Sequence, residues 1–404
     1  MDALPIPTLL LSLAAILIAA KLFGDLAERV KQPAVLGELV AGVLLGPSVF
    51  GVIPTAGPMA EILHVVAELG VILLLFEIGL ETDLRELFRV GPAALAVAAV
   101  GIALPFLLGF GFWTAAPPTL VGDSAATAAI FVGATLTATS VGITARVLSD
   151  LGKMNTREAR IILGAAIIDD VLGLVILTVV SGIAAGGLVS PLTVMRVLVI
   201  AVGFLVIAVV GGRLVAPRLF LVAERMRVRG VLVAAAVAVA FGLAGLAEEA
   251  GSAHILGAFA AGLVLSGTNQ FDTIERELKP VVSIFAPVFF VVVGASVDLR
   301  LLDPSREGSG ALLLLTLVLS LLAILGKVAA GWAAPWERYR RLVVGVGMIP
   351  RGEVGLIFAN IGLRTGVIGH GVFSALLLMV MVSTFVVPPA LKSLFSREDR
   401  RASS

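Results

Sequence analysis

Two adjacent aspartates, Asp169 and Asp170, interrupt an otherwise apolar run that begins at Ile161. Lys327 interrupts a second apolar run, and both positions lie about 10–12 Å along a helix from the same predicted boundary. A charge inside such a run is costly to bury, so a lysine and two carboxylates at one depth are expected to pair or to face water. Neighbouring residues on a helix point about 100° apart, so one aspartate can pair with Lys327 while the other binds a cation. A purely structural charge pair would account for one aspartate and the lysine, but not for the second aspartate.

Two further apolar segments contain residues that disfavour a continuous helix. The first surrounds Gly142 with hydroxyl side chains, and the second, residues 345–355, contains Pro350 and the oppositely charged Arg351 and Glu353. Proline removes an amide donor and glycine weakens a helix, so we expect both segments to be broken. Irregular backbone at membrane depth is tolerated where it lines a cavity, and the freed carbonyls and helix ends are then available to ions. The sequence therefore predicts two broken helices whose ends line a cavity. A hydroxyl-rich packing helix and a kinked helix with a local salt bridge are the alternative.

The composition identifies the environment in which these residues lie. Of the 404 residues, 59% are hydrophobic and 14% are charged, and the mean hydropathy is +1.10. Soluble domains carry about 25% charged residues. Apolar runs of about 20 residues predict thirteen transmembrane helices joined by short loops. We therefore predict an all-α polytopic membrane protein without a separate soluble domain.

Several chemistries are excluded by the composition and by absent motifs. The chain has no cysteine, its 3 histidines are isolated, and its net charge is +1. These features argue against disulfides, thiolate metal sites, haem and nucleic-acid binding. The chain contains neither Gly-x-Ser-x-Gly nor His-Glu-x-x-His, and adjacent aspartates on one helix do not suit an intramembrane aspartyl protease, whose aspartates face each other. The sequence therefore predicts a protein that is not an enzyme and that needs no cofactor.

The basic residues predict how the chain is oriented. Alternate loops and tails divide 27 of the 29 lysines and arginines into sets of 23 and 4. The larger set marks the cytoplasmic side under the positive-inside rule. We therefore expect a multi-pass protein of the cell membrane with its N-terminus outside and its C-terminus in the cytoplasm.

An internal repeat predicts two related halves. A leucine–glycine pair followed three residues later by an alanine–glycine pair occurs at residues 36–42 and again at 256–262, an offset of 220. One helix later, residues 79–84 recur as 294–299 with an offset of 215. The first pair of segments is seven predicted helices apart, so the halves must cross the membrane in opposite senses. Inverted repeats are typical of alternating-access transporters, whereas a proton-pumping subunit of a redox complex would lack them.

Four motifs carry a resemblance to a known family. They are Thr139-Ser140-Val-Gly142-Ile-Thr144-Ala-Arg146, the run from Ile161 through Asp169-Asp170 to Leu174, Ile324-Leu-Gly-Lys327, and Pro350-Arg351-Gly352-Glu353-Val-Gly355-Leu. In this order they resemble the monovalent cation:proton antiporter family, in its Kef/NapA-type branch. The closest likeness is to the electrogenic NapA-like sodium/proton antiporters, and it covers nearly the whole chain.

The resemblance implies an architecture. It implies two inverted five-helix repeats, a homodimer, and a core that moves like an elevator against a scaffold that forms the dimer interface. The corresponding segments are a scaffold at residues 1–90 and 215–305, a core at 91–185 and 306–395, a linker helix at 186–214, and a short cytoplasmic tail at 396–404.

The resemblance also implies residue roles and a function. Asp170 would bind a monovalent cation or a proton, Asp169 would pair with Lys327, and Thr139 and Ser140 would lie near the ion. The residues that would support the helix crossing are Gly142, Pro350, Arg351 and Glu353. The implied function is sodium/proton exchange by alternating access, and the implied partners are sodium or a similar cation, protons and the lipid bilayer.

Two alternatives stay open from the sequence. Kef-like potassium/proton systems contain similar motifs, but they carry glutamine at the position of the first aspartate. They also usually carry a nucleotide-binding domain, and the tail after Leu391 is too short for such a domain. An ion channel would also hold charges inside the membrane, but a channel gains nothing from a lysine that neutralises its own site.

Overall fold

The structure is a computed structural model that describes residues 6–82, 84–116, 126–184, 191–228, 230–250, 254–297, 309–351 and 353–402. Within these ranges the chain forms sixteen α-helices. They are α1 Ile6–Arg29, α2 Ala34–Leu45, α3 Pro58–Glu81, α4 Leu84–Arg89, α5 Gly91–Ala115, α6 Ala126–Thr135, α7 Val141–Asp150, α8 Arg157–Ala184, α9 Pro191–Glu224, α10 Val231–Glu249, α11 His254–Leu265, α12 Phe271–Ala295, α13 Ser309–Ala330, α14 Arg341–Gly347, α15 Glu353–Arg364 and α16 His370–Ala402.

Most of the long helices have the length and composition of membrane spans. Eight helices in the described ranges are long and apolar enough to cross a membrane, namely α1, α3, α5, α9, α10, α12, α13 and α16. Helices α2, α6 and α11 are apolar but shorter than the about 20 residues that a span needs. The all-α, multi-pass character of the chain is confirmed, whereas the number of thirteen spans stays a prediction.

Helix α9 is longer than the predicted linker. The predicted linker ends at residue 214, whereas α9 continues to Glu224. Arg213 and Arg218 are exposed around this extension. Because their side chains project outward, they do not interrupt the helix, although they interrupt the apolar run on which the predicted boundary rests.

The chain divides into two compact units. Unit 1 comprises the described parts of Met1–Glu86 and Val197–Ser296, and unit 2 those of Leu87–Arg196 and Val297–Ser404. Unit 1 therefore contains α1, α2, α3, α10, α11, α12 and most of α9, and unit 2 contains α5 to α8 and α13 to α16.

The repeat in unit 1 is visible as matching glycine contacts. A Cβ added to Gly37 would lie 2.0 Å from the carbonyl oxygen of Phe23 on α1. A Cβ added to Gly257 would lie 2.2 Å from the carbonyl oxygen of Leu243 on α10. Each residue of the second contact lies 220 positions after its counterpart in the first contact, which is the offset found in the sequence. Only glycine permits such backbone contact, which is how small residues pack helices in membranes.

The second set of glycines makes a matching contact one helix further along. A Cβ at Gly42 would lie 2.1 Å from the carbonyl oxygen of Val291 on α12, and one at Gly262 would lie 2.3 Å from that of Phe76 on α3. Gly262 lies 220 residues after Gly42, and Val291 lies 215 residues after Phe76, so both offsets of the sequence repeat recur here. The remaining repeat positions Asp83, Asp298 and Leu299 lie outside the described residues.

Unit 2 combines a hydrophobic cluster with a polar centre. The cluster joins α5, α6, α13, α15 and α16 through buried side chains that include Trp113, Phe131, Leu319, Phe358 and Met379. In water, burial of such apolar side chains is the main contribution that stabilises a folded unit. In a membrane, tight packing between helices takes over that role. The polar centre lies beside the cluster, where α6 gives way to α7 and α14 to α15.

Candidate functional site

Two helix breaks lie side by side in unit 2. Helices α6 and α7 are separated by residues 136–140, and α14 and α15 by a second short break. The backbone amide of Ser140 donates to the carbonyl of Pro350 over 2.7 Å. The Thr144 hydroxyl donates to the carbonyl of Gly347, also over 2.7 Å. Each break thus satisfies polar groups of the other, as buried irregular backbone must.

Arg351 ties the two breaks together. Its side chain is fully buried, and its Nη2 donates to the carbonyls of Leu136 over 2.8 Å and Ala323 over 3.1 Å. Nη1 donates to the carbonyl of Ile349. The Thr384 hydroxyl in turn donates to the carbonyl of Arg351 over 3.0 Å. Leu136 follows the C-terminus of α6, where carbonyls without helical partners carry partial negative charge, so the guanidinium stabilises that helix end.

Asp169 and Lys327 form a buried ion pair. The Lys327 Nζ lies 3.3 Å from Oδ2 and 3.5 Å from Oδ1 of Asp169. The lysine is 0% exposed and the aspartate 3%. Gly101 on α5 packs beside the lysine side chain, and a Cβ there would lie 3.6 Å from Nζ, an ordinary van der Waals distance. Because each charge is expensive to bury alone, each depends on the other.

Asp170 lies next to this pair on α8. Its side chain is buried, with 6% of its surface exposed, and its charge acts on Lys327. Arg351 acts electrostatically on both Asp169 and Lys327. If both aspartates are ionised and Lys327 and Arg351 are protonated, the four buried charges of this group sum to zero.

The other predicted residues lie around the breaks. Thr139 and Ser140 are buried in the first break, and the Thr139 hydroxyl lies near Asp169 without a hydrogen bond of standard geometry. Gly142 is buried in the first turn of α7. Glu353 begins α15, but its side chain lies outside the described part of the chain. Of the two predicted hydroxyl ligands, Thr139 therefore lies near Asp169, the neighbour of Asp170 on α8.

Several contacts of the site were not predicted from the sequence. Thr144 stands in the hydroxyl-rich segment, but nothing in the sequence indicated Gly347 as its acceptor. Gly347 is also where a Cβ would lie 2.4 Å from Cδ1 of Ile162 on α8. Thr384 carries no local signal at all, because its role comes only from the Arg351 carbonyl that accepts its hydrogen bond.

A second polar contact, between Glu158 and Arg340, holds one end of unit 2. Glu158 precedes the apolar run of α8, and its Oε1 accepts bonds from the Arg340 amide over 3.0 Å and from Nε over 3.2 Å. The Arg340 guanidinium also lies 4.4 Å from the ring centre of Phe395 on α16. Burial by itself would raise the pKa of the Glu158 carboxyl, but the bonds from Arg340 hold that pKa below its usual value.

We expect Glu158→Gln to destabilise the protein by about 1–2 kcal/mol at pH 7, because a bond to a charged acceptor is replaced by a neutral one. The folded-state pKa lies below the ordinary value of 4.5. The stabilisation is therefore fully present above pH 4.5 and is lost as the pH falls through the folded-state pKa. Thermal unfolding of both proteins in detergent between pH 7 and pH 3 measures this difference.

Glu337→Gln serves as the control, because Glu337 pairs with Arg157 in a more exposed position. A change within about 0.5 kcal/mol is expected there. A difference between wild type and Glu158→Gln that is the same at pH 3 and pH 7 would show that the charge of Glu158 contributes nothing.

Comparison with known proteins finds a family that matches nearly the whole chain. The family described as sodium/hydrogen exchanger, transmembrane, matches residues 12–397. The chain is 40% identical to the high-affinity Na(+)/H(+) antiporter NhaS3 of Synechocystis sp., over 96% of this chain and 89% of that protein. It is 37% identical to the Na(+)/H(+)-K(+) antiporter GerN of Bacillus cereus, over 96% of both.

A solved structure shows the same fold at low sequence identity. The sodium proton antiporter MjNhaP1 from Methanocaldococcus jannaschii, determined at pH 8, superposes with a TM-score of 0.67 at 19% identity. The match covers 96% of this chain and 100% of that chain.

Proposed function

The chain belongs to the sodium/hydrogen exchanger family, and we propose that it exchanges sodium for protons through the site around Asp169, Asp170 and Lys327. Members of this family are transporters and not enzymes, and the chain is a multi-pass membrane protein. One observation carries the site assignment: a buried Lys327–Asp169 pair lies beside Asp170 in the unit where two helix breaks are hydrogen-bonded to each other.

The proposed exchange rests on competition for Asp170. This carboxylate holds either a proton or a sodium ion, with oxygen atoms from Thr139, Ser140 and the breaks completing the coordination. With Asp170 ionised the four buried charges sum to zero, so a sodium ion that binds there adds one positive charge near Lys327. Two unit charges 4 Å apart interact by about 4 kcal/mol at an effective dielectric constant near 20, enough to change a protonation equilibrium about a thousandfold.

Lys327 couples this charge to proton release. Sodium entry favours loss of the proton that the Lys327–Asp169 pair holds, and the return step with protons restores it. If the pair and Asp170 both release protons as one sodium ion binds, more positive charge leaves than enters, and the exchange is electrogenic. Arg351 keeps a fixed positive charge throughout, because guanidinium does not give up its proton in proteins.

The proposed architecture is two inverted five-helix repeats whose broken helices cross at the site. The matching glycine contacts at offsets of 220 and 215 support the repeat. The two compact units support a division into scaffold, at residues 1–90 and 215–305, and core, at 91–185 and 306–395. Alternating access by an elevator movement of the core, a homodimer, and an external N-terminus with a cytoplasmic C-terminus complete the proposal.

Transport by the purified protein in liposomes tests the function. We expect an inward or outward sodium gradient to drive protons uphill in the opposite direction, at a rate that depends on an imposed membrane potential. Potassium at the same concentration is expected to drive less proton movement.

Each alternative gives a distinct result in the same assay. Equal responses to potassium and sodium would favour a potassium/proton exchanger. Single-channel currents without uphill proton movement would favour a channel and would contradict the proposed exchange. Liposomes without protein provide the baseline leak for both measurements.

A further inference from the structure

A cavity opens at one end of unit 1, and none of its described lining residues belongs to the proposed site. It has a volume of about 590 Å³ and lies where α3 and α11 end beside α9. Arg85 and Arg213 line it, together with Glu81 and three hydroxyl residues. Arg213 reaches over the end of α11, where a Cβ at Gly267 would lie 3.6 Å from Nη2. Two guanidinium groups thus face one space large enough for a phosphate group and part of the molecule that carries it.

The charged groups of the cavity favour an anion. Among the described lining residues Glu81 is the acidic one, whereas Arg85 and Arg213 are both basic. Lys279, on α12, lies with its Nζ 3.4 Å from Oε1 of Glu81 and offsets that negative charge. The described charged side chains that line the cavity therefore carry a net positive charge.

The hydroxyls of the cavity cannot donate to an anion. Thr82 donates to the carbonyl of Ile78 over 2.6 Å, and Thr268 donates to that of Leu265 over 2.8 Å. Ser266 likewise donates to its own helix. The two arginines are therefore the side-chain donors that best suit an anion here, because their planar guanidinium groups match phosphate geometry.

The part of α9 next to the cavity has an exposed surface that suits contact with lipid. Its 34 residues span about 51 Å, whereas the hydrocarbon core of a bilayer is about 30 Å thick, so one end lies among lipid headgroups. Next to Arg213, Leu214 is 66% exposed and Val215 is 60% exposed. Beyond them, exposed Arg218 lies next to Leu219, which is also exposed. Exposed basic and apolar residues mixed in one segment are typical of contact with anionic lipid.

We propose that this cavity binds the phosphate of an anionic phospholipid, whose acyl chains lie along the exposed apolar surface of α9. The guanidinium groups of Arg85 and Arg213 hold the phosphate, and Leu214 and Val215 contact the acyl chains. A free phosphate ion would use only the arginines and would leave this apolar surface without a role. The lipid site does not depend on the proposed exchange activity.

Lipid binding by the full-length purified protein tests this site. Native mass spectrometry in detergent counts bound phosphatidylglycerol, with phosphatidylcholine as the zwitterionic comparison and glycerol 3-phosphate as the free anion. The double variant Arg85→Gln/Arg213→Gln is expected to bind phosphatidylglycerol about 25-fold more weakly, since each arginine near an anionic headgroup contributes about fivefold. Phosphatidylcholine should bind weakly to both proteins.

Matched variants separate the cavity from general surface charge. Arg225→Gln/Arg227→Gln removes the same charge beyond the C-terminus of α9 but outside the cavity, and Arg196→Gln removes an exposed charge at the other end. We expect the first to weaken binding by about twofold and the second not at all. Equal losses for the two double variants would overturn the cavity as the site.

Two other outcomes would also overturn the proposal. If the Arg85→Gln/Arg213→Gln variant binds phosphatidylglycerol with wild-type affinity, the arginines do not hold the phosphate. If glycerol 3-phosphate displaces the lipid fully and binds as tightly, the acyl chains do not contribute to binding. If the double variant fails to fold, the single variants Arg85→Gln and Arg213→Gln give the same information at about fivefold each. Arg213→Lys, which keeps the charge without the planar fork, is expected to bind between the single variant and wild type.

Discussion

Replacing Asp170 with asparagine is expected to lower sodium-driven proton movement by about 100-fold or more. Asparagine has nearly the same shape but carries no negative charge and takes up no proton, so it can hold neither of the competing ions. Loss of a direct charge interaction worth about 3 kcal/mol weakens sodium binding by about 100-fold, and loss of the titrating group also removes the proton. Dequenching of a pH-sensitive dye in everted membrane vesicles, after addition of sodium, measures the effect.

The matched control for this variant is Asp25→Asn. Asp25 is an exposed aspartate of α1 that pairs with Arg29, so its loss should leave transport unchanged. Size-exclusion chromatography of both variants separates loss of transport from loss of folding. If Asp170→Asn transports at the wild-type rate, Asp170 is not the ion-binding residue and the proposed competition is wrong.

Replacing Lys327 with glutamine is expected to leave exchange measurable but to remove its dependence on membrane potential. Removing one member of a buried ion pair costs about 3–5 kcal/mol when the other charge remains. Here Asp169 can take up a proton and accept or donate a hydrogen bond to the glutamine amide, which limits that cost. The proton that Lys327 would release is then absent, so each cycle moves less net charge.

This variant is best compared with wild type in liposomes at several imposed potentials and pH values. We expect the rate of Lys327→Gln to change less than about twofold between potentials at which the wild-type rate changes severalfold. The double variant Lys327→Gln/Asp169→Asn keeps the site neutral without a titrating pair and should resemble the single variant. A Lys327→Gln protein with the voltage and pH dependence of wild type would show that Lys327 does not carry the exchanged proton.

The sequence was sufficient to predict an all-helical membrane protein of the sodium/hydrogen exchanger family. Runs of apolar residues reveal helices in a membrane, because every backbone polar group there must be satisfied within the helix. Charges inside such runs mark functional residues, because burying them is costly. Small residues at a fixed offset indicated a repeat, and the structure shows that glycines of this repeat make matching backbone contacts in unit 1, since only glycine allows backbones to touch.

The tertiary structure decided which groups meet. The spacing of residues 169 and 170 shows that they point in different directions, but it does not decide which of them pairs with Lys327. The family resemblance assigned the pair to Asp169, and the packing of α8 brings that carboxylate to 3.3 Å from the lysine Nζ. Arg351 could be expected to pair with a nearby carboxylate, yet it donates to carbonyls of Leu136 and Ala323. Nothing in the sequence joined Glu158 to Arg340, which are separated by 182 residues.

The difference has a physical cause. Hydrophobicity, helix breaking and the cost of a buried charge depend on a residue and its neighbours along the chain, so they can be read from the sequence. The partner of a side chain depends on the rotation of each helix about its axis and on its depth relative to other helices. Those quantities follow from the summed packing of many side chains and backbones, and only the folded chain specifies them.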